Sequence, residues 1–104
     1  MVDFGESIGH EQGNRRPALI VSADRLNASQ AGLVVIVPLT RTRRGLPSHI
    51  KLETGATGLA DTSYAKTEDV KSVSTQRLIR QLGRAEPDTL RQVARTLGWL
   101  LEII

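Results

Sequence analysis

Short apolar runs separated by polar turns make up most of the chain, and they predict β-strands. The most apolar run, residues 33–37, is five residues long and mostly β-branched, which favours a central strand ended by Pro38. The polar and apolar alternation over 48–52 is typical of a half-exposed strand. Further strands are predicted at 1–4, 16–23, 62–66, 70–73 and 78–82.

Helical spacing occurs at two places. Asp24 is predicted to cap a single helical turn over 24–29, and Pro87 suits the first position of a longer C-terminal helix. One face of this longer helix carries Leu90, Val93, Ala94, Leu97, Leu101 and Ile104. Trp99 lies off that stripe, and its side chain could serve either in ordinary packing or in a contact with a partner. The sum is a mainly β fold with a C-terminal helix, predicted to be a small, strongly curved antiparallel barrel forming a single domain over 1–104.

Composition narrows the classes of function. Lys and Arg total 14 against 11 Asp and Glu, and 11 of the 14 are arginines. This bias favours a nucleic acid or another polyanion, although codon usage explains it equally well. The absence of cysteine excludes disulfides and thiolate chemistry. No apolar stretch approaches the ~18 residues of a membrane span and no signal peptide is recognisable, so a soluble, cytoplasmic protein is expected.

Several kinds of site find no support in the sequence. His10 and His49 are 39 positions apart without a helical partner, so no metal site is predicted. There is no phosphate-binding P-loop and no nucleophile elbow. With three aromatic residues, a nucleic-acid site has no platform of stacked rings to rely on. No cofactor is therefore expected.

Guanidinium, carboxylate, imidazole and hydroxyl groups gather instead on three loops. The loops contribute His10, Glu11 and Arg16; then Thr40, Arg41, Arg43 and Arg44; then Lys66, Glu68 and Asp69. Such a set suits metal-free cleavage of RNA through its own 2′-hydroxyl, which needs a base, a proton donor and positive charge at the phosphorane. The same groups would also bind phosphate without cutting, and composition leaves both possibilities open.

Three segments resemble a known family. They are Gly-His-Glu-Gln at 9–12 followed by Arg-Pro-Ala-Leu-Ile-Val-Ser at 16–22, Val-Pro-Leu-Thr at 37–40 followed by Gly-Leu-Pro at 45–47, and Val-Lys-Ser-Val at 70–73. Together they resemble the MazF/PemK/Kid toxins of bacterial toxin–antitoxin pairs. The resemblance implies an SH3-like barrel, a homodimer, and a sequence-specific, metal-independent endoribonuclease that cuts single-stranded RNA, often mRNA. It also implies a cognate MazE-like antitoxin that blocks the site with an extended acidic segment.

The resemblance assigns roles by position. Arg16 would stabilise the phosphorane, Thr40 would hydrogen-bond the scissile phosphate, and Glu11 would activate the 2′-hydroxyl or contact a base. The residues expected to bind RNA are His10, Gln12, Arg41, Arg43, Arg44, Lys66, Glu68 and Asp69.

Two departures from the family pattern are visible. The chain opens at Met-Val-Asp-Phe, so most of the first strand is expected to be missing, and Thr67-Glu68-Asp69 replaces the usual Ala-Asp-Gln. A different base preference is therefore plausible. A gyrase-inhibiting toxin on the same fold and a plain RNA-binding module remain alternatives.

Overall fold

One long strand organises the molecule. The computed structural model describes residues 1–5 and 14–103. Strand β4 (Leu33–Thr40) pairs along one edge with β3 (Ala18–Ile20). Its other edge pairs in succession with β7 (Lys71–Ser74) and β6 (Ser63–Lys66), and β6 pairs outward with β5 (His49–Leu52). All of these pairings are antiparallel.

The remaining elements are short, apart from one helix. Strands β1 (Val2–Asp3) and β2 (Arg15–Arg16) form a separate two-stranded sheet. Helix α1 spans Asp24–Asn27, α2 spans Pro87–Leu100, and 3₁₀ turns cover Thr67–Asp69 and Thr75–Arg77. The mainly β class with a C-terminal helix is confirmed. In the described part of the chain no pairing joins β5 back to β3, so these sheets are not closed into a barrel.

Pro38 does not end β4, contrary to the prediction. The strand continues through Leu39 to Thr40. Pairing with β7 stops at Ile36 and pairing with β6 starts at Leu39, so Pro38 lies in the gap between two partners. Pro38 pairs with Ala18 on the β3 edge, but the neighbouring Leu39 N–H donates toward that edge, so the proline nitrogen faces the gap. The ring therefore costs no ladder hydrogen bond.

Two other local predictions were wrong. Ala23, not Asp24, is the N-cap of α1, and Asp24 lies inside the first turn, where its charge suits the helix dipole. Residues 78–82 form no strand: Leu78 makes one isolated bridge to Val2. The strand that this bridge reaches, β1, is two residues long and offers too little edge for a ladder.

Helix α2 packs against one face of the sheet. Val93 is buried together with Val37, Leu39, Leu52 and Ala65, and Leu97 packs against this cluster. The predicted start at Pro87 is confirmed. The predicted stripe is wrong in part. Leu90 and Ala94 are exposed, the helix ends before Leu101, and Ile104 lies outside the described residues. Trp99 is 61% exposed and is not part of the core.

Alternation along the strands sends polar residues to the opposite face. Leu39 and Ala65 face each other on the helix-covered side, so Thr40 and its partner Tyr64 point the other way. The same rule places Lys66 and its partner His49 on this side. The fold therefore gives β4, β5 and β6 one apolar face against α2 and one face rich in polar groups.

Candidate functional site

A groove on the polar side of the sheet gathers several of the predicted residues. Its volume is about 440 Å³, and it is lined by Phe4, Asn14, Arg16, Pro38, Lys66, Asp69, Val70 and Lys71. Three cations and one carboxylate thus converge from two parts of the chain, Arg16 from β2 and the other three from residues 66–71. Such a surface suits a phosphate backbone with a base beside it.

Arg16 lies at the rim of this groove. It is exposed at the end of β2, and its Nε donates to Oδ1 of Asn14 at 3.0 Å. The Leu39 N–H donates to the Pro17 carbonyl at 3.2 Å, which extends the pairing of β3 and β4 beyond Ala18 and Pro38. The next pair in this register is Arg16 and Thr40. The two predicted catalytic residues therefore occupy facing positions on neighbouring chain segments.

Thr40 is held by a local hydrogen bond. It is the half-buried last residue of β4, and its Oγ1 accepts from the Thr42 backbone N–H at 3.1 Å. Thr40 does not line the groove itself. Thr40 lies beside the groove, two residues along β4 from the lining residue Pro38 and on the same face of the strand.

The third predicted loop is a 3₁₀ turn with two acidic residues. Asp69 pairs with Lys66, with 3.2 Å between Oδ2 and Nζ. Glu68 pairs with His49, with 2.8 Å between Oε2 and Nε2. The turn is anchored by Thr67, whose buried Oγ1 donates to the Ser48 carbonyl at 2.6 Å. The pairs with Lys66 and His49 tie this turn to β6 and β5.

Hydrogen bonds lower the pKa of Glu68. Burial is the largest single influence on this carboxyl group, and it raises the pKa. Donors from the His49 ring, from the backbone N–H of Glu68 and from Ser48 together outweigh burial, and the net pKa lies below its usual value. Glu68 is therefore a carboxylate, able only to accept hydrogen bonds, at neutral pH.

The basic loop after β4 is exposed. Arg41 pairs with Asp61 at 3.2 Å, and both side chains are largely in solvent. Arg43 and Arg44 are also exposed. A surface ion pair of this kind is worth roughly 0–1 kcal/mol, so it exchanges readily for a phosphate contact.

Three predicted residues lie outside the described part of the chain: His10, Glu11 and Gln12. The segments on either side are tied together. The Phe4 N–H donates to the Asn14 carbonyl at 2.9 Å, and the Gly5 N–H donates to Oδ1 of Asp3 at the same distance. Phe4 and Asn14 both line the groove.

Several residues at the groove or on the polar face were not predicted for the site, among them Phe4, Asn14, His49 and Lys71. Lys71 lies in the Val-Lys-Ser segment, and its Nζ stands 4.6 Å from the centre of the Phe4 ring. A cation over an aromatic face is a favourable contact, and it keeps the ring at the groove. His49 was considered only as a metal ligand. The alternation over 48–52 was the available signal, because it places His49 on the face opposite Ile50.

A larger cavity lies elsewhere and contains none of the predicted residues. It measures about 990 Å³ between β3, the 78–85 segment and the start of α2, and its lining is mostly apolar. Its lining also includes Asp24, Arg80, Arg84 and Glu86. The chemistry nevertheless favours the smaller groove, because the predicted residues Arg16, Lys66 and Asp69 meet there. Among the described residues no cluster of three metal-ligating side chains exists, and neither described helix is long and apolar enough to cross a membrane.

Comparisons of sequence agree on one family. A family model described as PemK-like, MazF-like toxin of type II toxin-antitoxin system matches residues 1–101. Endoribonuclease MazF9 of Mycobacterium tuberculosis is 34% identical, and the alignment covers 98% of this chain and 91% of that protein. Endoribonuclease toxin MazF of Escherichia coli is 28% identical, with 96% of this chain and 86% of that protein covered.

Comparisons of structure point the same way. The MazE-MazF (Form-II) crystal structure from Deinococcus radiodurans has a TM-score of 0.82 at 32% identity, covering 99% of this chain and 90% of that one. An endoribonuclease in complex with its cognate antitoxin from a mycobacterial species has a TM-score of 0.77 at 26% identity, covering 94% and 88%. The likeness therefore extends over nearly the whole chain.

Proposed function

Because this chain belongs to the PemK-like, MazF-like toxin family of type II toxin–antitoxin systems, we propose that it is a toxin that cuts single-stranded RNA at specific sequences. Messenger RNA is the main target, and its cleavage stops translation and growth. The observation that carries the proposal is the meeting of Arg16, Lys66 and Lys71 in one groove with Thr40 in register beside it.

The reaction is a transfer within the RNA itself. The 2′-oxygen bonds to the neighbouring phosphorus, and the bond from phosphorus to the 5′-oxygen breaks. The products are a 2′,3′-cyclic phosphate and a 5′-hydroxyl. One proton leaves the 2′-hydroxyl, and another reaches the departing 5′-oxygen. No metal is required, because protein groups supply the positive charge and the proton transfers.

Arg16 is the residue we assign to the phosphorane. Its guanidinium is permanently charged, is exposed at the groove and is oriented by Asn14. A donor aimed at developing negative charge contributes about 3 kcal/mol, or roughly a hundredfold in rate. We also assign to Arg16 the protonation of the leaving oxygen.

Thr40 is assigned to the scissile phosphate. Its Oγ1 accepts from the Thr42 N–H, which orients the hydroxyl so that its hydrogen can donate to a phosphate oxygen. Glu11, from the segment outside the described residues, is assigned to activation of the 2′-hydroxyl. The remaining contacts to RNA are assigned to His10, Gln12, Arg41, Arg43, Arg44, Lys66, Glu68 and Asp69.

The partners and the compartment follow from this function. We place the protein in the cytoplasm, where its RNA substrate is found, as a homodimer. A MazE-like antitoxin would cover the basic groove with an extended acidic segment, because carboxylates on a flexible chain compete directly with phosphates.

The test is cleavage of a mixed-sequence RNA in EDTA with mapping of the ends. Wild-type protein should leave 5′-hydroxyl ends, and Arg16→Ala and Thr40→Ala should each cut about a hundredfold more slowly. Arg95→Ala, on the exposed face of α2, is the matched arginine control and should cut at the wild-type rate. Intact RNA with wild-type protein would reject the proposal. Gyrase inhibition that survives Thr40→Ala would favour the gyrase-inhibiting alternative.

A further inference from the structure

His49 is a buried imidazole that the mechanism above does not use. Its side chain is 3% exposed, although it belongs to a strand that alternates polar and apolar residues. Nε2 lies 2.8 Å from Oε2 of Glu68. Nδ1 is buried and has no hydrogen-bond partner within the part of the chain that the structure describes.

The two ring nitrogens therefore have different roles. Glu68 is ionised at neutral pH and only accepts, so Nε2 must carry the proton that lies between them. The ring is thus held as a donor with one fixed direction, toward Glu68.

His49 orients the Glu68 carboxylate but leaves part of it exposed to solvent. Its side chain is 39% exposed, and one oxygen is held by His49 while the carboxylate keeps further lone pairs. The next residue, Asp69, lines the groove, as does Lys66, which stands opposite His49 in the β5 and β6 register. Glu68 is therefore a fixed, partly exposed acceptor at the edge of the surface assigned to RNA.

We propose that His49 is a positioning residue that holds Glu68 to accept from the exocyclic amino group of one RNA base. The inference rests on the proposed function and adds a source of sequence specificity to it. Adenine, cytosine and guanine carry such an amino group. Uracil presents carbonyl oxygens at the corresponding edge positions, and these repel a carboxylate. One position of the cut site should therefore disfavour uracil.

The experiment compares cleavage profiles on RNA of randomised sequence. His49→Leu keeps a buried apolar side chain but removes the donor, and Glu68→Gln replaces an acceptor by an amide that also donates. Both should weaken discrimination against uracil by about tenfold at the same single position and leave the other positions unchanged. His49→Gln, whose amide nitrogen can stand near the place of Nε2, should restore discrimination.

Matched controls separate specificity from folding and charge. Glu53→Gln removes a carboxylate that is also hydrogen-bonded, by Thr62, but lies at the far end of β5; its profile should match wild type. Thermal unfolding identifies variants that do not fold. If His49→Leu is one of them, Glu68→Gln and His49→Gln decide the question, because only Glu68→Gln should admit uracil.

The outcomes distinguish this inference from the function beneath it. If wild-type protein cuts no RNA, both the proposed function and the role of His49 and Glu68 are wrong. If wild-type protein cuts RNA but Glu68→Gln leaves every position of the profile unchanged, the role of His49 and Glu68 is wrong and the proposed function is unaffected. A loss of rate in His49→Leu with an unchanged profile would likewise show a structural role and overturn the inference.

Discussion

A single buried hydroxyl fixes the turn that carries the two acidic residues of the site. Thr67 donates from Oγ1 to the Ser48 carbonyl at 2.6 Å, and its backbone N–H donates to the same oxygen at 3.2 Å. Thr67→Val keeps the shape and the backbone bond and loses the hydroxyl. The free energy of unfolding should fall by about 1 kcal/mol, measured by urea denaturation.

The matched control for that change is Thr96→Val. Thr96 also donates from Oγ1 to a carbonyl, that of Gln92, but this bond lies on the exposed side of α2, where water replaces it. Thr96→Val should change the free energy of unfolding by no more than about 0.5 kcal/mol. Equal losses in the two variants would contradict a special role for the buried hydroxyl.

Glu68 gives the folded state a dependence on pH. Its pKa in the folded protein is below the ordinary value of 4.5, so the folded state binds its proton less readily than the unfolded chain does. The stabilisation is complete above pH 4.5 and is lost as the pH falls through the lowered pKa. Unfolding midpoints measured from pH 6 to pH 3 should therefore fall more steeply for wild type than for Glu68→Gln.

Glu102→Gln is the control for this pH series, because Glu102 is exposed beyond the end of α2. Its curve should follow that of wild type. Parallel curves for wild type and Glu68→Gln would show that the hydrogen bonds to Glu68 do not persist in solution.

At the scale of elements, helix α2 supplies the apolar cover for the sheet. Val93 is 1% exposed among Val37, Leu39, Leu52 and Ala65. Val93→Ala removes two methyl groups and leaves a cavity, so the free energy of unfolding should fall by about 2 kcal/mol in chemical denaturation. Arg95→Ala, two positions along on the exposed face, should change it by less than about 0.5 kcal/mol. A smaller loss for Val93→Ala than for Arg95→Ala would place the core elsewhere.

Elements that depend on local sequence signals were predicted well. Helix α2 begins where Pro87 indicated, and its inward residues Val93 and Leu97 follow from helical spacing. The wrong predictions concern residues whose secondary structure depends on which strand pairs with them. Pro38 stays in β4 because two different strands pair on either side of it, and 78–82 lacks a strand because β1 is too short to pair with it.

The candidate site shows the same division. Arg16, Lys66 and Asp69 were named from sequence, and they meet in the groove. The pair of His49 and Glu68 was not predicted, because it depends on the β5 and β6 register and on a 3₁₀ turn that brings residues 19 positions apart together. Periodicity describes one strand at a time and carries no information on such a pairing.

At the scale of the whole molecule, the distribution of positive charge matters more than its sum. The net charge is only +3, yet the groove and the loop after β4 hold Arg16, Arg41, Arg43, Arg44, Lys66 and Lys71. Binding of single-stranded RNA should weaken with salt, with a slope of log K against log[salt] of about −0.7 for each phosphate neutralised. Replacing Arg43 and Arg44 together by Ala should reduce that slope by about 1.4.

The control replaces Arg91 and Arg95 by Ala, which removes the same two charges from the exposed side of α2. If net charge alone attracted RNA, both double variants would bind equally weakly. We expect only the variant of the loop after β4 to lose affinity, by a similar factor for every RNA sequence, because contacts to phosphate carry no information about the base. Fluorescence anisotropy with a 2′-deoxy analogue, which this mechanism cannot cleave, measures binding without cutting. Equal salt slopes in the two double variants would remove the loop after β4 from the path of the RNA.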